Sequence, residues 1–588
     1  MTGIIDSKER SMPTPSDKNS VAALEKKALI AMDSSPMKAD YEPWKTRACE
    51  IRTKTGAGLP IVTPESVGVS SLYISDFLKE LTGLSCDLHH FLMLRKGKII
   101  AEASFAPYLK GTWHSCHGIA KSITNIAVGI LCDEGKLTCE TRLTDVFGSK
   151  ISFLNSLKLK NITIHDLLTM SSGTVFDEEK IFSGNDWAGM FFDAPLHFEP
   201  GTRFEYNSLN TYILSAAVTA ITKLPMDEFL KTRLFDPLGI TSFIWERCPN
   251  GITKGGWGLF MYPEDIAKIG MLYLNRGIYS EKRIVSEVWM KRSIACAFSP
   301  EGDLPYGYGY HVWTGAKEGD LLFSGIMMQK CFVFSQNEIV IVINAGDRSG
   351  LDRRVNDLVN SYFGSVYNPP AFLVENRSSF LSLSSLLSSF EKRNRKIRIK
   401  RGGWRTRKPV TKTVLPFDRL CECLNDHSYV LSGSTAGFMP HFLQYIQNNH
   451  TSGLKEVSFE KDHRGLVIHL TEGGRTNDLF LSHDRDRYAV MNFKGEIYLV
   501  SGIGGFSRDE DDDLCLKVEA AFIEADSKRY LRFFFKDGFE RIKIELSETR
   551  GTDMSLKEAG LHDITDTVTG YRKDTNEKIG ENILWARP

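Results

Sequence analysis

The sequence predicts an α+β domain, an antiparallel sheet joined to a helical region, followed by an all-β domain. Three observations predict it. A hairpin-like pair of apolar runs at 91–102 precedes a long stretch of helical periodicity, and strand-like runs return near 309–344. Between 376 and 408 the composition shifts, first to Ser and Leu, then to dense Lys and Arg. Beyond 408, short β-like runs alternate with turn residues at the spacing of all-β domains. A chain of 588 residues is also too long for one core. The expected organisation is a loosely ordered leader over 1–60, the α+β domain over 61–375, a connector over 376–408 and a C-terminal β-rich accessory domain over 409–588.

The elements follow from local pattern. Apolar residues 91–94 and 99–102 flank Arg95-Lys96-Gly97-Lys98, a turn signal between two strands. Ile119, Ile123, Ile126, Ala127, Ile130 and Leu131 recur at three- and four-residue steps, predicting a helix over 118–134 with Gly135 closing it. Thr163 with Asp166 three positions on is a capping-box start, and Ser171-Ser172-Gly173 ends that helix. Helices are predicted over 210–222 and from Pro263 to near Gly277, where proline opens the first turn. Strands are predicted at 309–313, 331–334 and 339–344, and in the accessory domain at 456–459, 466–470, 497–500, 514–523, 530–535 and 542–546. The last group predicts a sandwich or small barrel, with an up-and-down, lipocalin-like barrel preferred.

Bulk properties exclude several classes. Lys plus Arg equals Asp plus Glu at 73 each, so no net charge draws the chain to nucleic acid or anionic lipid. Eleven cysteines, an odd number without a C-x-x-C pair, argue against a disulfide framework or zinc knuckle and suit a reducing, cytoplasmic compartment. Residues 21–32 are interrupted by Glu25, Lys26 and Lys27, so they form no signal-peptide core. No run of about 18 apolar residues predicts a membrane span. His114 and His117 lack acidic or thiol companions for a metal site, and 509–513 lacks the glycine and final glutamate of a calcium loop. The basic run 392–408 with Trp404 reads as a solvated linker rather than a surface for an anionic partner.

Chemistry concentrates in three stretches. In His114-Ser115-Cys116-His117-Gly118-Ile119-Ala120-Lys121, Gly118 and Lys121 share one face at the head of a helix. A serine at 118 would complete Ser-x-x-Lys, a nucleophile with its base, beside the free N–H groups and positive end of the helix. Glu199 to Ser208 contains Tyr206-Asn207-Ser208, and Phe323-Ser324-Gly325-Ile326-Met327-Met328-Gln329 lies on a strand expected to flank a cleft. Pro64-Glu65-Ser66-Val67-Gly68, Leu167 to Gly173, Phe235-Asp236-Pro237-Leu238-Gly239-Ile240 and Pro263-Glu264-Asp265-Ile266-Ala267 accompany them in order.

Over about 62–366 this series resembles the serine β-lactamase/DD-peptidase, penicillin-binding-protein-like superfamily, in its class C β-lactamase-like and esterase branch. The resemblance implies a β-lactamase/transpeptidase-like fold. It also implies hydrolysis or acyl transfer on a small ester, amide or peptide through a covalent acyl-enzyme, with no metal or organic cofactor. Position 118 would attack, Lys121 would take its proton and Tyr206 would pass it to the leaving group. The N–H groups of Gly118 and Ile326 would hold the oxyanion, with Ser208, Ser324 and Gly325 against the substrate. The C-terminal β region is similar to the accessory domain some of these hydrolases carry.

Two positions depart from the pattern: Gly118 stands where the serine belongs, and Met328 where a glycine often precedes the glutamine. Losing such a serine costs on the order of a million-fold in rate. The chain as given is therefore expected to be inactive, as a serine-to-glycine variant or, alternatively, as a natural non-catalytic ligand-binding protein. The expected partner is a small acyl compound, not nucleic acid or membrane; substrate identity and oligomeric state are not legible.

Overall fold

A computed structural model describes residues 43–53, 55–174, 184–299, 306–315, 317, 319–347, 350–364, 366–392, 415–432, 436–509, 513–548 and 565–573. The basic run beyond 392, the leader before 43 and the centre of the 509–513 acidic turn lie outside the described residues.

Seven strands form the first sheet: β1 (Leu88–Arg95), β2 (Lys98–Ser104), β3 (Gly307–Tyr308), β4 (Trp313–Thr314), β5 (Leu321–Gly325), β6 (Gln329–Phe334) and β7 (Ile339–Ala345), in the order β2-β1-β7-β6-β5-β4-β3. The β1–β2 hairpin turns through Lys96 and Gly97, both at positive φ, which matches the right-handed twist of its strands. Its central strands are apolar on both faces because both are covered. Leu92, Leu94, Val340 and Val342 join one core cluster, and Phe91, Met93, Ile341 and Ile343 another. The first cluster contains α2 (Ile119–Asp133), α4 (Ser208–Thr222) and α5 (Pro263–Leu274), with the short α3 (Ile164–Leu168) capped by Thr163 and Asp166 as expected. The second cluster contains α1 (Ser71–Gly83), α6 (Asp352–Phe363) and α7 (Arg377–Phe390).

Two expectations are corrected. Residues 309–313 are not one strand: they include the turn between β3 and β4, where His311 takes φ 56°. The Ser/Leu-rich part of the expected connector is helical and joins the first domain as α7. Leu383, Leu386, Leu387 and Phe390 make an apolar stripe that packs on the sheet's second face, a helical period hidden by the serines between them.

The C-terminal region is a ten-stranded antiparallel sheet: β8 (Ser428–Ser432), β9 (Leu454–Asp462), β10 (Gly465–Glu472), β11 (Arg475–Leu481), β12 (Arg487–Phe493), β13 (Glu496–Arg508), β14 (Leu514–Phe522), β15 (Lys528–Lys536), β16 (Arg541–Glu548) and β17 (Thr565–Arg572). Its order, β11-β10-β9-β8-β17-β16-β15-β14-β13-β12, is a meander whose first and last strands pair. The result is a nearly closed barrel. At the seam between β11 and β12 side chains stand in for the ladder: Asn477 donates to the Asn492 carbonyl at 3.1 Å and accepts from the Asn492 N–H at 2.8 Å, and Arg487 donates to the Leu481 carbonyl at 3.2 Å. The sequence reading lacked β8, β11, β12 and β17, together with helix α8 (His441–Gln447). Polar residues break the apolar runs in β11 and β12, and the ten-strand count was not legible without them.

Residues 43–53 run between barrel and first domain. Fully buried Lys45 donates to the Ile497 carbonyl and pairs with Glu524 at 2.7 Å, while Arg52 meets Asp265 at 2.6 Å. The β14–β15 loop then docks on the strand leading into α2. Ser115 N–H donates to the Glu524 carbonyl at 2.9 Å, and the Glu524 carboxylate accepts from the Trp113 indole and from Leu499 N–H.

Buried histidines line this junction. Facing nitrogens of His89 and His114 lie 2.8 Å apart, close enough for only one proton between them. Burial, reinforced by His89, pushes His114 down to about 3, and burial also lowers His89 and His90. Asp87, Lys528 and Asp526 add their charges around His89. A histidine kept neutral when folded binds its proton only in the unfolded state between about pH 6.5 and its native value. Stability should therefore fall as pH drops from about 6.5 toward 3, by roughly 1.4 kcal/mol per pH unit for His114. His114→Gln should flatten the dependence of melting temperature on pH; equal slopes in both proteins would reject the assignment.

Candidate active site

The entry to α2 is a tight turn. His117 holds φ 42°, an uncommon conformation for a residue with a side chain. Its ring is tied to the barrel, through Asp526 Oδ2 at 3.1 Å and by an edge contact with Phe442 of α8. His117 and His114 thus serve the domain junction. Among the described residues no group of three His, Cys, Asp or Glu side chains is arranged to hold a metal.

Gly118 follows as the helix N-cap, in helical backbone conformation and with no side-chain cap. One turn on, Lys121 is buried, donates to the Gly256 carbonyl at 3.2 Å and lies 5.1 Å from the centre of the Tyr206 ring. Tyr206 is half-buried just before α4. Its ring stacks near Trp313 at 6.3 Å and meets the edge of Tyr308 at 6.2 Å. Asn207 caps α4 by accepting from Leu209 N–H, which leaves Ser208 as the first helical residue. The sequence stretches around 118–121 and 206–208 therefore do meet.

The third stretch closes on the first. Ser324 and Gly325 end β5, and Ile326 to Met328 turn the chain into β6, with Met327 and Met328 at φ 57° and 66°. A Cβ built on Gly118 would lie 2.4 Å from the Ser324 carbonyl oxygen, and one on Gly325 would lie 2.8 Å from both the Cys116 oxygen and the Gly118 nitrogen. Two glycines let two backbones touch here. Gly325→Ala should consequently cost about 1–3 kcal/mol, the range for forced overpacking, measurable as a lowered urea midpoint; an unchanged midpoint would show that the contact yields freely.

The remaining predicted residues divide. Ser324 turns its hydroxyl to Lys330 Nζ at 2.7 Å, and Lys330 also pairs with Asp352. Ile326 packs against the barrel's core cluster, and Met327 is buried within it. The segment expected to supply the second oxyanion donor is thus anchored by the accessory domain.

The Beta-lactamase family model matches residues 90–359. This segment belongs to the serine β-lactamase/penicillin-binding-protein-like superfamily. The 6-aminohexanoate-dimer hydrolase of Paenarthrobacter ureafaciens is 24% identical over 283 residues, 43% of this chain and 71% of that protein. Further relatives are matched over 143 residues, 33% of their own length. Among solved structures, the penicillin binding protein from Bacillus halodurans is 19% identical, with a TM-score of 0.41 over 49% of this chain and 99% of its own. The octameric penicillin-binding protein homologue from Pyrococcus abyssi is 17% identical, with a TM-score of 0.37 over 81% of this chain and 97% of its own.

Within the β-lactamase-family domain, sequence reasoning missed the residues that surround the Lys121–Tyr206 pair. Gly256 supplies the acceptor for Lys121, and Tyr308 and Trp313 flank the Tyr206 ring. Buried His311 is pushed down to about 3 by burial and by Lys121. Aromatic richness at 306–313 was the available signal for Tyr308 and Trp313; nothing in the sequence marks Gly256.

Proposed function

We propose that the β-lactamase-family domain carries an acyl-transfer site of the serine-hydrolase type for small esters, amides or peptides. With glycine at 118 this chain is its non-turnover form. The observation that carries the reading is the buried Lys121 Nζ 5.1 Å from the Tyr206 ring, one helical turn from position 118. With serine at 118, Oγ would attack the acyl carbon while Lys121 accepts its proton. The N–H groups of 118 and 326 would stabilise the oxyanion, and Tyr206 would deliver the proton to the departing alcohol or amine. Water or a second acceptor would then release the acyl group from the enzyme. The domain's relatives are hydrolases, as their names state. Eleven unpaired cysteines support placing the protein in a reducing, cytoplasmic setting; no helix among the described residues is long and apolar enough to cross a membrane.

A second reading, a natural ligand-binding protein without turnover, is favoured by one contact. The Ser324 carbonyl occupies the space that a side chain at 118 needs. A glycine native to this position would let β5 settle there; a serine would hold it away. Gly118→Ser, probed with a fluorophosphonate and nitrophenyl esters, separates the two: labelling supports the hydrolase reading, and a folded, unlabelled variant supports the binding protein.

A further inference from the structure

The barrel contains a cavity of ≈ 220 Å³ at the seam between β11 and β12, lined by none of the candidate acyl-site residues. Its frame is already satisfied internally. Asn477 and Asn492 bridge the seam, Asn449 donates to the Phe493 carbonyl at 2.8 Å, and the Glu472 carboxylate accepts from Phe438 N–H and the Thr451 hydroxyl. Three groups on the lining are left for a guest. Arg475 stands opposite Glu472 in the β10–β11 ladder, on the cavity lining and with its side chain exposed. His450 Nε2 is buried without a hydrogen-bond partner. Lys494, whose ammonium donates to the His450 carbonyl, adds a second cation to the rim.

We propose that this cavity binds a small organic carboxylate, with Arg475 forking the two oxygens, His450 Nε2–H donating to one of them and Lys494 supplying the second positive charge. The planar, two-toothed donor of arginine matches a carboxylate, and hydrogen bonds to a charged acceptor are the strong ones. Glu472, the one acid on the lining, is held by neighbours other than the guest. Its two oxygens accept from Phe438 N–H and the Thr451 hydroxyl. Met439 and Phe493 provide an apolar wall for a short hydrocarbon part. The volume equals that of about seven waters, so the guest is a short-chain acid, not a peptide or oligosaccharide. Inorganic phosphate would use the same cations but leave the apolar wall bare. The inference is independent of whether position 118 ever attacked a substrate.

Calorimetric titration of the full chain with pentanoate tests it, with pentanamide and inorganic phosphate as controls. Saturable pentanoate binding is expected, with no heat from pentanamide. Arg475→Gln and Lys494→Gln, both changes at exposed side chains outside the core, should each weaken pentanoate roughly tenfold or more. Lys121→Met should leave it unchanged, separating this cavity from the candidate acyl site. The proposal is overturned by absence of saturation, by equal binding of pentanamide, or by unaltered affinity in both cavity variants. Loss of binding in Lys121→Met with retention in Arg475→Gln would also overturn it. Tighter binding of phosphate than pentanoate, lost in Arg475→Gln, would overturn the carboxylate assignment.

Discussion

Gly118→Ser should acquire covalent labelling by a fluorophosphonate and, at the same time, lose stability. The gain follows from placing a hydroxyl one helical turn from Lys121, whose Nζ already neighbours Tyr206. The loss follows from the Ser324 carbonyl, 2.4 Å from where the new Cβ would sit. Forced displacement of packed backbone costs about 1–3 kcal/mol, which lowers the melting temperature by roughly 2–12 °C in a domain of this size. A further Lys121→Met change should remove the labelling by a factor of about 10²–10⁴, the usual contribution of a general base. Labelling that survives without Lys121 would break the proposed mechanism even if Gly118→Ser is reactive.

Lys45→Met should be strongly destabilising. Lys45 and Glu524 are both fully buried, and the lysine also sits 3.9 Å from the centre of the Tyr498 ring. Removing the ammonium leaves a carboxylate with N–H donors but no counter-charge, at a cost of about 3–5 kcal/mol. Converting Glu524→Gln in the same chain should recover part of that loss, because the orphan charge disappears. Urea denaturation followed by tryptophan fluorescence reads both, since Trp113 donates to Glu524. A Lys45→Met midpoint equal to that of the unaltered protein would refute the coupling of arm and barrel.

The elements that the sequence announced are those in which one physical signal dominates. Repeated isoleucines at helical steps placed α2 within a residue of its ends, and the Lys96-Gly97 turn placed β1 and β2. The candidate site was legible only in residue types: Lys121 and Tyr206, picked out from separate stretches, lie close together in the fold. What stayed hidden depends on distance between distant segments. Nothing in Gly118 or Gly325 alone reveals that each exists to admit the other's backbone. Nor does Lys45, in a polar stretch that reads as a leader, reveal a partner 479 positions away.

The Asn477 bridge carries a consequence for how this protein behaves in a crowded solution. Strands β11 and β12 are the two margins of the barrel sheet, and margins with free peptide groups recruit strands from other molecules. One amide side chain imitates a peptide unit and occupies both hydrogen-bonding groups of Asn492. At this point of the margin, resistance to fibre-like self-association thus rests on an asparagine that offers both a donor and an acceptor, with Arg487 covering the Leu481 carbonyl further along.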